Sequence, residues 1–72
     1  MKDISLKNCI GFIRQEKNMT QEQLAEAAGI SREAVCGIEC SRYNPSLLVA
    51  FKIADALDVD VYDIFSYKLE KS

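Results

Sequence analysis

Apolar residues in this 72-residue chain recur mainly at three- and four-residue intervals, the period at which side chains share one face of a helix. Leu6, Ile10 and Ile13 form the first run, with Cys9 beside them. With Ser5 as N-cap they predict a helix over about residues 6–17, ended by Asn18. Thr20-Gln21-Glu22-Gln23 then has the form of a capping box, in which the Thr20 hydroxyl and the Gln23 side chain each satisfy an orphan backbone N–H. A second helix of about two turns follows, with Leu24, Ala25 and Ala28 inward and Gly29 placed to end it in the left-handed conformation. Ser31 is the expected cap of a third helix, which turns Val35 and Ile38 inward and leaves Arg32, Glu33, Cys36, Gly37 and Cys40 on other faces.

Residues 41–46 read as a loop, with Pro45 halting the preceding helix and Ser46 able to cap the next. Leu47, Ala50, Phe51, Ile53, Ala54 and Leu57 carry the longest helical periodicity and predict the central core helix. Asp60 is the expected cap of a short last helix over 61–65. Both ends of the chain alternate instead, Asp3-Ile4-Ser5-Leu6 and Phe65-Ser66-Tyr67-Lys68-Leu69, as strands with one buried face do. The expectation is one all-α domain over 1–72, five helices with a short strand at each end.

Composition narrows the function. Hydrophobic residues make up 49% of the chain and charged residues 28%, a balance suited to a compact domain. No run approaches the roughly 20 apolar residues of a membrane span, and the N-terminus lacks the pattern of a secretory signal, so a cytoplasmic protein is expected. Three cysteines, no Cys-x-x-Cys spacing and no histidine argue against a disulfide framework or a zinc site. The same lack of histidine, with no glycine-rich phosphate cradle, argues against an enzyme, and no cofactor or small-molecule ligand is expected. Residues 1–52 hold seven Lys/Arg against six Asp/Glu, whereas 53–72 hold two against five. Any nucleic acid should therefore meet the first part.

Two short helices joined through a glycine turn, the second with a small, polar outer face, form an arrangement that fits a DNA major groove. The string Thr20-Gln21-Glu22-Gln23-Leu24-Ala25, Gly29-Ile30-Ser31-Arg32, Val35, Ile38-Glu39 and Tyr43-Asn44-Pro45-Ser46-Leu47 resembles the Cro/Xre-type helix-turn-helix family over about residues 6–65. The resemblance implies a lambda-repressor-like domain with its motif at about 21–40. It also implies a homodimeric regulator, expected to be a repressor, on an inverted repeat of double-stranded DNA. Ala25 would then be the small residue where the motif helices cross, and Gly29 their turn. Arg32, Glu33, Ala34, Cys36 and Gly37 would face the bases, where Arg reads guanine, Glu accepts from cytosine and small side chains meet a thymine methyl. Thr20, Gln21, Ser31, Arg42, Tyr43 and Asn44 would hold phosphates. Arg14 and Glu39 match a pair that in relatives joins the first and third helices through a salt bridge, and two solvated surface charges are the alternative.

Several residues depart from the usual pattern. Glu33-Ala34 stands where many relatives carry Gln-Thr, and Cys40-Ser41 where they carry Lys or Asn followed by Gly or Asn. The reading face is thus poor in positive charge, which predicts weak non-specific affinity and a modest salt dependence. It also keeps open a rival function, an antitoxin or other protein-interaction module on the same fold. Cys36 and Cys40, one helical turn apart, raise a thiol switch against the reading of two small residues, and Cys9 is expected to fill the core. Leu47, Phe51, Ile53 and Leu57 are assigned to the core. The terminal strands are expected to pair and, with the last helix, to form a dimer contact through Tyr62, Phe65, Tyr67 and Leu69, a disordered tail being the alternative.

Overall fold

The computed structural model describes residues 3–70, and side chains over 6–67. In chain order it contains β1 (Asp3–Asn8), α1 (Ile10–Glu16), α2 (Gln21–Ala28), α3 (Arg32–Glu39), α4 (Leu47–Ala56), α5 (Val61–Ile64) and β2 (Phe65–Glu70). The helices enclose one core, in which Ile10, Leu24, Val35, Ile53, Leu57 and Ile64 are the largest fully buried side chains. Each helix from α1 to α5 contributes at least one of them.

Local chemistry sets the boundaries. Thr20 and Gln23 form the reciprocal capping box of α2, and Ser31, Ser46 and Asp60 accept backbone N–H bonds at the starts of α3, α4 and α5. Asp60 and Asp63 make a second capping box. Four helices end on left-handed residues: Asn18 (φ 56°), Gly29 (φ 71°), Ser41 (φ 59°) and Asp58 (φ 57°). After each, the next N–H reaches back to an open carbonyl in the last turn: Met19 to Arg14, Ile30 to Ala25, Arg42 to Gly37 and Val59 to Ala54. Asn, Gly and Asp tolerate this conformation well, whereas Ser41 adopts it at a steric cost.

The first helix begins later than its apolar spacing predicts. Leu6 belongs to β1, which pairs antiparallel with β2 from Asp3↔Glu70 to Asn8↔Phe65, so Ser5 lies within a strand opposite Lys68 and not at a helix start. Cys9 is the N-cap of α1 without a side-chain capping bond, and Asn8 Oδ1 accepts the Ile10 N–H at 3.3 Å instead. Cys9 is exposed rather than core filler, with its thiol donating to the Asp63 carbonyl. Two further expectations fail on α4. Leu47 is 72% exposed and Phe51 55%, while Ala50, Ile53, Ala54 and Leu57 are buried. Periodicity identifies an apolar side of a helix without saying whether the protomer itself covers all of it.

Candidate nucleic-acid interface

The relation between α2 and α3 is set by small residues and a turn. Ala25 and Ala28 are buried, which lets the two helices approach closely. Gly29 has free space around its Cβ direction, so what it provides is the positive φ and not room. Ser31 then accepts the Ala34 N–H at 3.0 Å and starts α3 within two residues of the turn.

A polar network fixes α3 at its C-terminal end. Arg14 donates from Nε to Glu39 Oε2 at 2.8 Å and from Nη2 to Oε1 at 3.2 Å, and its Nη1 donates to the Met19 carbonyl at 2.8 Å. The Gln21 amide adds a bond to Glu39 Oε1 at 3.2 Å. The ion pair is largely withdrawn from water, its side chains 12% and 11% exposed. Sequence reasoning passed over two participants. Gly11 leaves room on α1 for the carboxylate, since a Cβ there would stand 3.1 Å from Glu39 Oε1. Asn8 Nδ2 donates to the Ile38 carbonyl at 3.0 Å and ties β1 to the same helix end. α3 is thereby joined to β1, α1 and α2, a satisfied network that specifies one orientation.

The outer face of α3 carries exposed Arg32 and Glu33, with Cys36 half-buried beside them and Cys40 exposed at the end. One of the expected base-facing positions differs from the others. Gly37 is buried beneath Tyr43, whose Cε2 lies 2.8 Å from where a Cβ on Gly37 would stand, whereas Ala34 is half-buried like Cys36. The Tyr43 hydroxyl gives its proton to the Ala34 carbonyl at 3.2 Å, so it has none for a phosphate. Thr20 and Ser31 are exposed, and their hydroxyls accept cap bonds while keeping a free proton. Gln21 commits one amide hydrogen to Glu39 and keeps the other, which orients the group before any ligand arrives. Arg42 and Asn44 stand exposed on the loop after α3. Arg32 and Arg42 are the cations on α2, α3 and this loop, against exposed Glu22, Glu26 and Glu33.

A second surface lies on α4, α5 and the ribbon. Leu6, Val61 and Phe65 line two adjoining apolar grooves, one continued by Tyr62 and Tyr67, the other by Pro45 and Leu47. Tyr62 is 89% exposed, but Phe65, expected on this surface, is only 8% exposed and belongs mostly to the core. The side chain of Leu69 lies outside the described residues.

Short helices, a turn glycine, a braced third helix and an open polar face together define a helix-turn-helix DNA-binding domain. A helix-turn-helix family profile matches residues 10–64, and the chain belongs to that family of Cro/C1-type DNA-binding transcriptional regulators, which are not enzymes. It is 44% identical over 63 residues to an uncharacterised helix-turn-helix-type transcriptional regulator of Methanocaldococcus jannaschii, covering 88% of this chain and 96% of that one. It is 49% identical over 52 residues to the immunity repressor protein of Bacillus phage phi105, covering 72% of this chain and 36% of the repressor. The crystal structure of SinR, the master regulator for biofilm formation, in complex with DNA superposes with a TM-score of 0.70 at 35% identity, over 74% of this chain and 86% of the SinR chain in that structure. Among the described residues no helix is long and apolar enough to cross a membrane.

Proposed function

We propose that this chain is a cytoplasmic, homodimeric repressor that reads an inverted-repeat operator by inserting α3 into the major groove. The observation that carries the reading is the division of the surface. One side presents a braced helix with Arg32, Glu33 and Cys36 outward, and another leaves Leu47, Tyr62 and Tyr67 exposed beside half-buried Leu6 and Val61. Arg32 and Glu33 are the base-reading pair, with Ala34 and Cys36 offering small apolar contact. Thr20, Gln21, Ser31, Arg42 and Asn44 hold the phosphates on either side.

The apolar surface supports a second copy of this chain as partner. A two-stranded ribbon is marginal alone in water, and β1 with β2 has no third strand among the described residues. Two-fold pairing through Tyr62, Tyr67 and Leu47 would cover it and present two α3 helices to half-sites about one DNA turn apart. The kinship with a phage immunity repressor supports repression. The test combines selection from a random duplex library with sedimentation of the full chain. A palindromic consensus bound by a dimer is expected, with Tyr62→Ser/Tyr67→Ser shifting the chain to monomer and weakening operator binding. Absence of enrichment, or a monomer at micromolar concentration, refutes the reading.

A further inference from the structure

We infer that Tyr43 is a positioning residue for DNA recognition: it clamps the loop after α3 onto the reading helix and so fixes where Arg42 and Asn44 meet the phosphate backbone. The inference rests on the assignment of α3 as the reading helix and adds a part that no phosphate contact of Tyr43 itself requires.

Three contacts from two successive loop residues converge on one side of α3. The Arg42 N–H donates to the Gly37 carbonyl at 2.9 Å, the Tyr43 ring lies against the Gly37 Cα, and the Tyr43 hydroxyl donates to the Ala34 carbonyl at 3.2 Å. The chain reaches this position through Ser41 in the left-handed conformation, so the turn alone does not hold the loop cheaply. Gly37 is the complementary half of the clamp. A methyl group there would meet ring atoms at 2.8 and 3.1 Å, closer than van der Waals contact permits, and would lift the ring away. The absence of a side chain at position 37 thus serves the tyrosine. The ring stays half-exposed, which places it as a rim beside the base-facing residues and not in the core. Because Ala34 and Gly37 lie on the same helix as Arg32 and Glu33, the clamp puts the base-reading and phosphate-holding groups in one rigid frame, and rigid placement is what makes such contacts productive.

The test uses the full chain with a duplex it has selected from a random library, and a random-sequence duplex of equal length. Tyr43→Ala and Gly37→Ala are expected to weaken binding to the selected and the random duplex by similar factors, about 10-fold, since the contacts at stake are to phosphates. Tyr43→Phe, which keeps the ring and loses the hydroxyl, should fall between these and the wild type. Ethylation interference should fade at the phosphates nearest the loop and persist at those nearest Thr20 and Gln21. In the free protein, hydrogen exchange at the Arg42 amide should accelerate in Tyr43→Ala ahead of the amides of α4. A folded Tyr43→Ala protein that binds the selected duplex within threefold of wild type with the same interference pattern overturns the inference. So does uniform loss at all phosphates with no selective change at Arg42, the signature of general destabilisation. Should Tyr43→Ala not fold, Tyr43→Phe and Gly37→Ala decide by the same readouts. A wild-type chain that selects no duplex removes the DNA-reading assignment itself, a different result from an unaltered variant, and the clamp then has no role in recognition.

Discussion

Replacing Arg14 with methionine keeps an apolar stem and removes every charge-assisted bond that the guanidinium makes. Glu39 would lose the Nε bond at 2.8 Å and the Nη2 bond at 3.2 Å, and would retain only the Gln21 amide at 3.2 Å. Hydrogen bonds to charged groups contribute about 1.5–3 kcal/mol each, and breaking a buried pair from one side costs about 3–5 kcal/mol. The slight exposure of both side chains lets water reach the orphaned carboxylate, so the lower end applies, about 3 kcal/mol. A domain of this size has a total stability of roughly 4–11 kcal/mol at about 0.05–0.15 kcal/mol per residue. The loss is thus a large share of the whole, and it should lower the thermal midpoint by about 12–24 °C at roughly 4–8 °C per kcal/mol. Urea unfolding followed by circular dichroism measures it, at one protomer concentration so that the proposed dimerisation does not shift the midpoint. The companion variant Glu39→Leu and the double variant complete a cycle, and the apolar pair should recover at least about 2 kcal/mol relative to the sum of the single losses. A single-variant loss under about 1 kcal/mol, the value of an exposed ion pair, or a coupling within about 0.5 kcal/mol of zero would refute the account of a withdrawn, structural bridge.

Ser41→Gly should stabilise the chain by about 0.5–1 kcal/mol, the relief of the left-handed penalty less the added freedom of the unfolded state, visible as a higher thermal midpoint. No gain would mean that Ser41 is not strained at φ 59°. Leu57→Ala empties a fully buried site and should cost about 2–5 kcal/mol, leaving the variant partly unfolded at physiological temperature by circular dichroism. Arg32→Ala should lose about 1–3 kcal/mol on the selected operator and relax the base preference at one position. Arg42→Ala should instead weaken all duplexes alike and lower the salt slope of a dimer by about 2, roughly 0.9 per protomer, both read from binding isotherms across a salt series. For the proposed wild-type dimer that slope should not exceed about 4 in magnitude, two arginines per protomer at roughly 0.9 each.

Much of the scaffold is legible in the sequence because it is encoded locally. Thr20 with Gln23, Ser31, Ser46 and Asp60 act within three residues of themselves, and Gly29 needs only its own φ, so short windows identify them. Leu6 misleads for the same reason. Its spacing to Ile10 and Ile13 continues a helical pattern, and only its pairing with Tyr67, at the far end of the chain, makes it a strand residue. Leu47 and Phe51 mislead because helical period is blind to what covers a face. The Arg14–Glu39 bridge came from family resemblance and is present in the structure, whereas Asn8 and Gly11 act across the fold and the Gly37–Tyr43 contact depends on the path of an irregular loop, so none leaves a periodic signal. In the reading surface, residue type suggested which groups face outward, and the hydrogen bonds then divided them. Arg32 and Glu33 are open, Gln21 is already oriented, and the Tyr43 hydroxyl is occupied.

The pairing of β1 with β2 has a consequence for the order of folding. Asn8 and Phe65 meet only after everything from residue 9 to residue 64 has closed into a loop, whose entropic cost is on the order of 3–4 kcal/mol for a flexible chain. The compact helices meet that cost in advance by bringing the two segments together, so the ribbon should be the last element to form and the first to fray. A surface built from Leu6 and Tyr67 therefore comes into being only on a protomer whose helices are already folded. Dimer formation on that surface would act as a checkpoint, admitting to a paired operator only those chains in which the reading helix is already braced.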